Sequence, residues 1–304
     1  MSMRELIVLG TASQVPTRRR NHNGYLLLWD GEGLLFDPGE GTQRQLRLAG
    51  VASSRLTRLC LTHFHGDHCL GVPGVLQWLS LDDVQHPVHA YFPASGSDYF
   101  ARLRHASIFH ERADVREVPV TADGPVARES FGVLETQRLD HAVDAIGYRL
   151  TEADGLHFVP ELLDHFGIEG EAVGDLHRSG SIRVGDRTIG LAEVTTTRPG
   201  QKFAFVMDTR LCDGVYALAD GADMLVIEAT FLTEDAELAD RYGHLTARQA
   251  GQVAAECNVR RLVLTHFSQR YTDTVRHREE AVEQFGGDVV VAEDLMCIAV
   301  PKRR

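Results

Sequence analysis

His63-Phe64-His65-Gly66-Asp67-His68 follows a short apolar run at 58–62 and places three imidazoles and one carboxylate within six residues. A loop of this kind can turn several donors toward one point, and Gly66 gives its backbone the freedom for a tight turn. Neutral imidazole and carboxylate are ligands of zinc and similar divalent ions, and a cluster without thiolate points to a catalytic rather than a structural site. A solvent-facing histidine loop is the competing reading and the ordinary one for a lone histidine. Four candidate donors in H-x-H-x-D-H spacing favour the metal, because metal sites are the main physical reason to crowd such groups.

One loop supplies too few donors for a metal centre, so polar residues beside the other apolar runs matter. Asp208 follows the run at 202–207, His266 follows that at 261–265, and His141 lies just before that at 145–150. Ligands in α/β sheets gather in this way at the carboxyl ends of strands. Further runs of strand length fall at 5–10, 24–29, 34–37, 88–91, 224–228, 289–292 and 296–300, and helical patterns at 42–49, 71–81, 246–256 and 274–285. The mixture predicts an α/β fold. Residues 58–64 and 261–267 agree at six of seven positions, each a strand ending in Thr-His, which predicts two related halves packed sheet against sheet. The segment 152–187 is glycine-rich and weakly patterned, and is expected as an arm or loop inserted in a single domain spanning 1–304.

The chain has 304 residues, 43% hydrophobic and 24% charged, enough for a large core without disulfide staples. Cys60, Cys69, Cys212, Cys257 and Cys297 are scattered and form no C-x-x-C pair, which argues against a structural zinc knuckle or an extracellular disulfide framework. A reducing cytoplasm is the expected location. The amino terminus has only a strand-length apolar run, so neither a signal peptide nor a membrane helix is expected. A net charge of −12 argues mildly against a nucleic-acid substrate, because phosphate contacts dominate such affinity and positive charge would have to be concentrated locally.

The order H-x-H-x-D-H, isolated His, Asp, final His resembles the metallo-β-lactamase superfamily. The flanks narrow the likeness: Gly10-Thr11-Ala12-Ser13 with Pro16-Thr17 and Arg20-Asn21, Phe36-Asp37-Pro38-Gly39-Glu40-Gly41-Thr42-Gln43-Arg44, Glu228-Ala229-Thr230, His244-Leu245-Thr246, and Thr265-His266-Phe267-Ser268-Gln269-Arg270-Tyr271 are similar to signatures of the ribonuclease Z family. That resemblance implies a four-layer αβ/βα sandwich and two Zn2+ per subunit, other divalent ions being possible. It implies that His63, His65, His141 and Asp208 hold one ion, and that Asp67, His68, His266 and the bridging Asp208 hold the second. Asp67 would also accept the proton of the attacking water, and Glu228 would orient His244 as general acid. The implied activity is endonucleolytic removal of the 3′ trailer from precursor tRNA by metal-activated water, leaving a 3′-hydroxyl, in a homodimer.

Residue by residue, simpler readings stand beside these. Glu228 reads equally as a strand-end charge and His244 as a neighbour of a helix cap. Thr246, Ser268 and Arg270 read either as phosphate contacts or as an ordinary cap and surface groups. Of the remaining histidines, His22 lies near Arg18-Arg19-Arg20 and is a weak RNA-binding candidate; the others, His277 among them, read mostly as surface or locally bonded. The chain departs from the family in Met207, where Gly is usual, in Leu245, where Ser is common, and in an acidic stretch at 151–175 without Lys or Arg, where a lysine-rich tRNA-gripping arm is usual. The acidity keeps a small-molecule phosphodiesterase as the alternative; a zinc-stabilised binding module without catalysis is the third reading, weakened by the joint presence of Asp67, Glu228 and His244.

Overall fold

The computed structural model describes residues 4–303. Residues up to 151 and from 202 to 301 form one compact unit and residues 152–201 with 302–303 a second. The first unit contains two seven-stranded sheets. One runs in the order Cys297–Ala299, Arg4–Gly10, Gly24–Trp29, Glu32–Phe36, Arg58–Cys60, Val88–Pro93, Val115–Val120. The other runs Asp288–Val291, Arg261–Thr265, Met224–Glu228, Lys202–Val206, Ala145–Thr151, Gly132–Leu139, Gly124–Glu129. Each is antiparallel over part of its width and parallel over the rest.

Three apolar layers hold the sheets. Side chains alternate across a strand, so Tyr25, Leu27 and Trp29 enter the core between the sheets while Leu26 and Leu28 enter the core behind the first one. Phe36 stacks on Phe205 at 4.6 Å between the sheets, with Tyr148 edge-on at 5.7 Å. Behind the first sheet, Leu46, Val75, Leu79 and Phe100 come from helices Thr42–Leu48, Val72–Leu81 and Ser97–Arg104. Behind the second, Val215, Ala250, Val253 and Ala281 come from Asp213–Ala219, Ala247–Glu256 and Val275–Gln284. The layers are therefore helix, sheet, sheet, helix, the α/β sandwich expected from the sequence. Met207 and Leu245, the two departures from the family pattern, are both fully buried, Met207 between the sheets and Leu245 behind the second. Burying each contributes about 1.5–3 kcal/mol, which accounts for a large side chain at either position.

The strand expected at 58–62 ends at Cys60, and Thr62 and His63 already belong to the loop. Strands Val115–Val120, Gly124–Glu129 and Gly132–Leu139 had no apolar run to reveal them. In Gly132–Leu139 alternate residues face a core, and one of those is the buried Thr136. The weakly patterned stretch is folded. Residues 152–201 pair Gly155–Phe158 with Thr195–Arg198 and Ser181–Val184 with Arg187–Gly190, and add helices Pro160–Phe166 and Glu171–Ser179. Ile168, Leu176, Ile189 and Val194 make its small core. Three of its arginines, Arg178, Arg183 and Arg187, pair with Asp175, Asp186 and Glu193 of the same unit. No helix among the described residues is long and apolar enough to cross a membrane.

Candidate metal centre

Strand ends of both sheets deliver the donors to one place. His63, His65, His141 and Asp208 each offer a donor atom within 4.8 Å of the others. Asp67, His68 and His266 form a second such group, and Asp208, His244 and His266 a third. Asp208 is central: its Oδ2 lies 3.5 Å from His63 Nε2, 3.3 Å from His68 Nε2 and 3.8 Å from His141 Nε2, and its Oδ1 lies 3.2 Å from His266 Nε2. Asp67 Oδ2 lies 3.3 Å from His68 Nε2 and 3.5 Å from His266 Nε2.

The backbone is bent to achieve this. Asp37, Asp208 and His266 have φ of 41°, 45° and 61°, in the left-handed region that non-glycine residues rarely occupy. All three sit just beyond a strand end, where surrounding contacts must hold the cost of the conformation.

Each buried imidazole is fixed by the nitrogen it turns away from the centre. His68 Nδ1 donates to Asp37 Oδ2 at 2.8 Å. His63 Nδ1 lies 3.0 Å from the Thr62 hydroxyl, which donates to Asp37 at 2.7 Å. His266 Nδ1 lies 2.8 Å from the Thr230 hydroxyl, which donates to Glu228 at 2.5 Å. His141 Nδ1 donates to the Gly243 carbonyl at 3.0 Å. Such partners fix the tautomer and leave the opposite nitrogen's lone pair facing inward. Gly243 has φ 75°, and a Cβ there would lie 2.9 Å from His141 Nδ1, so both backbone and space call for glycine.

Several observations fit this arrangement to cations. Asp208 Oδ1 and His266 Nε2 are buried without a hydrogen-bond partner, a costly state for polar atoms unless an ion satisfies them. His65 Nδ1 faces both His63 Nε2 at 3.0 Å and His141 Nε2 at 3.3 Å, a convergence of lone pairs. Oxygen and imidazole donors without sulfur suit zinc and related divalent ions. Burial disfavours a charged His68, but Asp208, Asp67 and Asp37 outweigh it and hold its pKa well above the usual imidazole value, a positive charge that a bound cation would replace. Burial, with His68 beside it, holds the His63 imidazole well below its usual pKa. Burial favours a neutral Asp208, but His266, His68 and His244 outweigh it and hold the carboxyl well below the usual carboxylate range.

Glu228, fully buried, accepts from three donors: the Thr209 amide at 2.7 Å, Thr230 at 2.5 Å and His244 Nδ1 at 3.0 Å. Burial alone would lower the His244 pKa, but the charges of Glu228 and Asp208 prevail and push it up to about 9. His65, Asp67, His141, Asp208 and His244 line a cleft of about 650 Å³ with Ser13, His22, Ser268 and Arg270. Thr246 is not among the lining; its hydroxyl caps Ala247–Glu256 by accepting from the Gln249 amide at 3.2 Å. His277, read from sequence as a surface or locally bonded residue, is fully buried. Asp37, Thr62, Thr230 and Gly243 were missed as candidates; a polar residue directly after an apolar run was the available signal for Asp37 and Thr62.

Two packed sheets with histidine and carboxylate donors at their strand ends define a member of the β-lactamase superfamily, and the model described as "Beta-lactamase superfamily domain" matches residues 33–267. A ribonuclease Z of Nocardia farcinica is 61% identical over the whole of both chains. One from Salinispora arenicola is 59% identical, over 100% of this chain and 98% of that one. The human tRNase Z short form superposes with a TM-score of 0.70 at 25% identity, covering 98% of this chain and all of that one. The chain belongs to the ribonuclease Z family. It is, with that family, an endoribonuclease of the hydrolase class.

Proposed function

We propose that the chain removes the 3′ trailer from precursor tRNA by hydrolysing one phosphodiester bond, so that the tRNA keeps a 3′-hydroxyl and the trailer leaves with a 5′-phosphate. The observation that carries the reading is the Glu228–His244 pair held beside Asp208 at the edge of the donor cluster, in one cleft. A scaffold has no physical need for a protonated imidazole there. The naming of the relatives and of the human neighbour supplies the substrate.

In this reading His63, His65, His141 and Asp208 hold one Zn2+, and Asp67, His68, His266 and Asp208 hold a second. When bound, the two ions supply Lewis-acid activation of water and neutralise charge on the phosphate. The chain's own groups do the rest. Asp67 is held ionised by its neighbours: burial opposes this, but His68 and His266 prevail, so it can accept the proton of the attacking water. His244 is protonated at neutral pH and donates to the departing 3′-oxygen as the P–O bond breaks, with Glu228 fixing the ring through Nδ1. The chain then acts as a single catalytic domain that carries 152–201 as an insert, as a homodimer, in the cytoplasm.

A small-molecule phosphodiesterase is the second reading. The acidity of 151–175 and the pairing of Arg178, Arg183 and Arg187 inside their own unit favour it. End-labelled precursor tRNA, with and without CCA, decides. The proposal expects one cut near the discriminator nucleotide, a product that a 3′-hydroxyl-dependent polymerase extends, and two zinc ions per chain by elemental analysis. Hydrolysis of a chromogenic phosphodiester without RNA cleavage would establish the second reading instead.

A further inference from the structure

The cleft carries one exposed aromatic ring that the metal chemistry does not use. Tyr242 ends the helix Ala236–Tyr242, two residues before His244, and lines the cleft with 51% of its surface exposed. Phe231, also in the lining, is only 5% exposed, and its ring centroid lies 5.9 Å from that of His244, so it supports the imidazole rather than offering a face to a ligand. Arg241 lines the cleft as well; its guanidinium lies over one face of the Tyr242 ring, 5.8 Å from the centroid, which leaves the opposite face for a ligand, and no carboxylate pairs with it among the described residues. An open aromatic face beside an uncommitted cation is the combination that holds a single-stranded nucleotide, the ring stacking on the base and the cation facing the backbone.

Chemistry fixes which nucleotide this is. His244 gives its proton to the departing 3′-oxygen, so the nucleoside bearing that oxygen sits on the His244 side of the scissile phosphate. Gly243 separates Tyr242 from His244 and bends the chain with φ 75°, so the ring stands at the same wall of the cleft. We propose that Tyr242 stacks on the base of the last nucleotide retained in the product, the one whose 3′-oxygen leaves, and so helps to set the position of the cut. Stacking on a π-face is tolerant of base identity, so the contact would register the position of the nucleotide rather than its sequence. The inference rests on the ribonuclease reading and on the role given to His244.

The test is a two-by-two comparison. Zinc-loaded parent and Tyr242→Ala are assayed on a precursor RNA and on the same RNA with an abasic ribose at the last retained nucleotide. Stacking predicts that Tyr242→Ala lowers kcat/KM about tenfold on the intact RNA, that the abasic site lowers the parent by a similar factor, and that the two losses do not add. Tyr242→Phe restores the parental rate, since the hydroxyl is not used. Equal loss from Tyr242→Ala on both RNAs, with the parent active, overturns the stacking. A parent that cuts neither RNA fails earlier, at the ribonuclease reading itself.

Discussion

His277 offers a stability measurement whose sign and size follow from its surroundings. The ring is fully buried, and both of its nitrogens lack a hydrogen-bond partner. It meets Phe267 at 5.0 Å and Tyr271 at 4.8 Å, both edge-on. Burial, helped by the charges of Arg20 and Arg276 and opposed by Asp273, lowers its pKa from 6.5 to about 4. The folded protein therefore prefers the neutral ring, and the unfolded chain takes up a proton first as pH falls. Stability is lost between about 6.5 and 4 and unaffected above. The full difference of about 2.5 pKa units corresponds to about 3.4 kcal/mol, of which about 2 kcal/mol has been lost by about pH 5. The perturbation is His277→Phe, which keeps an aromatic ring of similar size and removes the titration and the two unsatisfied nitrogens. Other histidines and carboxylates titrate in the same range, so the quantity to measure is the gap between variant and parent in urea unfolding. That gap is expected to widen by about 2 kcal/mol, in favour of the variant, from about pH 7.5 to about pH 5. A gap of the same size at both values would show that His277 is not held neutral by its burial.

Three further outcomes are expected. Asp67→Ala abolishes turnover with the far-ultraviolet dichroism unchanged, whereas His244→Ala slows it by about 10²–10⁴-fold with both metal ions still present by elemental analysis; loss of metal in the second variant would remove its role as proton donor. Thr230→Val cuts the link between Glu228 and His266, and Thr62→Val the link between Asp37 and His63. Each is expected to weaken metal affinity by about 10–100-fold in a chelator competition, and parental affinity in either would show that the link is idle. Gly243→Ala drives a methyl against His141 at a positive φ and is expected to lower both metal affinity and thermal stability, by about 1–3 kcal/mol for the latter; an unchanged melting temperature would mean that the loop relaxes freely.

The donors were legible in the sequence and the groups that aim them were not, for a physical reason. His63, His65, Asp67 and His68 are crowded on one loop, and Asp208 and His266 each follow an apolar run that the structure confirms as a strand, so position along the chain signals them. Asp37, Thr62 and Thr230 act through hydrogen bonds that mostly join parts of the chain far apart in sequence, and nothing in residue type separates them from ordinary strand-end polar residues. Gly243 is recognisable only when its φ and the nearness of His141 are known. The three-stranded stretch 115–139 was hidden because charged, polar and glycine residues break it into short apolar pieces. Two of its three strands keep substantial exposure, so no continuous apolar run was needed to form them.

The repeat between 58–64 and 261–267 shows how far a matched sequence can be trusted to imply a matched role. Both segments begin as strands, the first leaving its sheet after Cys60 and the second running to Thr265, and both histidines reach the same carboxylate, Asp208. Equivalence would have each threonine brace the histidine that follows it. Thr62 does so, receiving His63 Nδ1 and donating to Asp37. Thr265 does not: its hydroxyl lies 2.7 Å from the Tyr25 phenol, while His266 turns to Thr230, which lies just past the end of the neighbouring strand. The difference follows from the backbone. His266 adopts φ 61° and His63 is not among the residues of positive φ, so the second imidazole leaves the strand in another direction and needs a brace from outside its own segment. Thr230 and Glu228 supply it, and Glu228 also holds His244. The second half of the repeat therefore links His266 to His244 through one carboxylate, Glu228, whereas in the first half Asp37 holds His68 directly and His63 through Thr62.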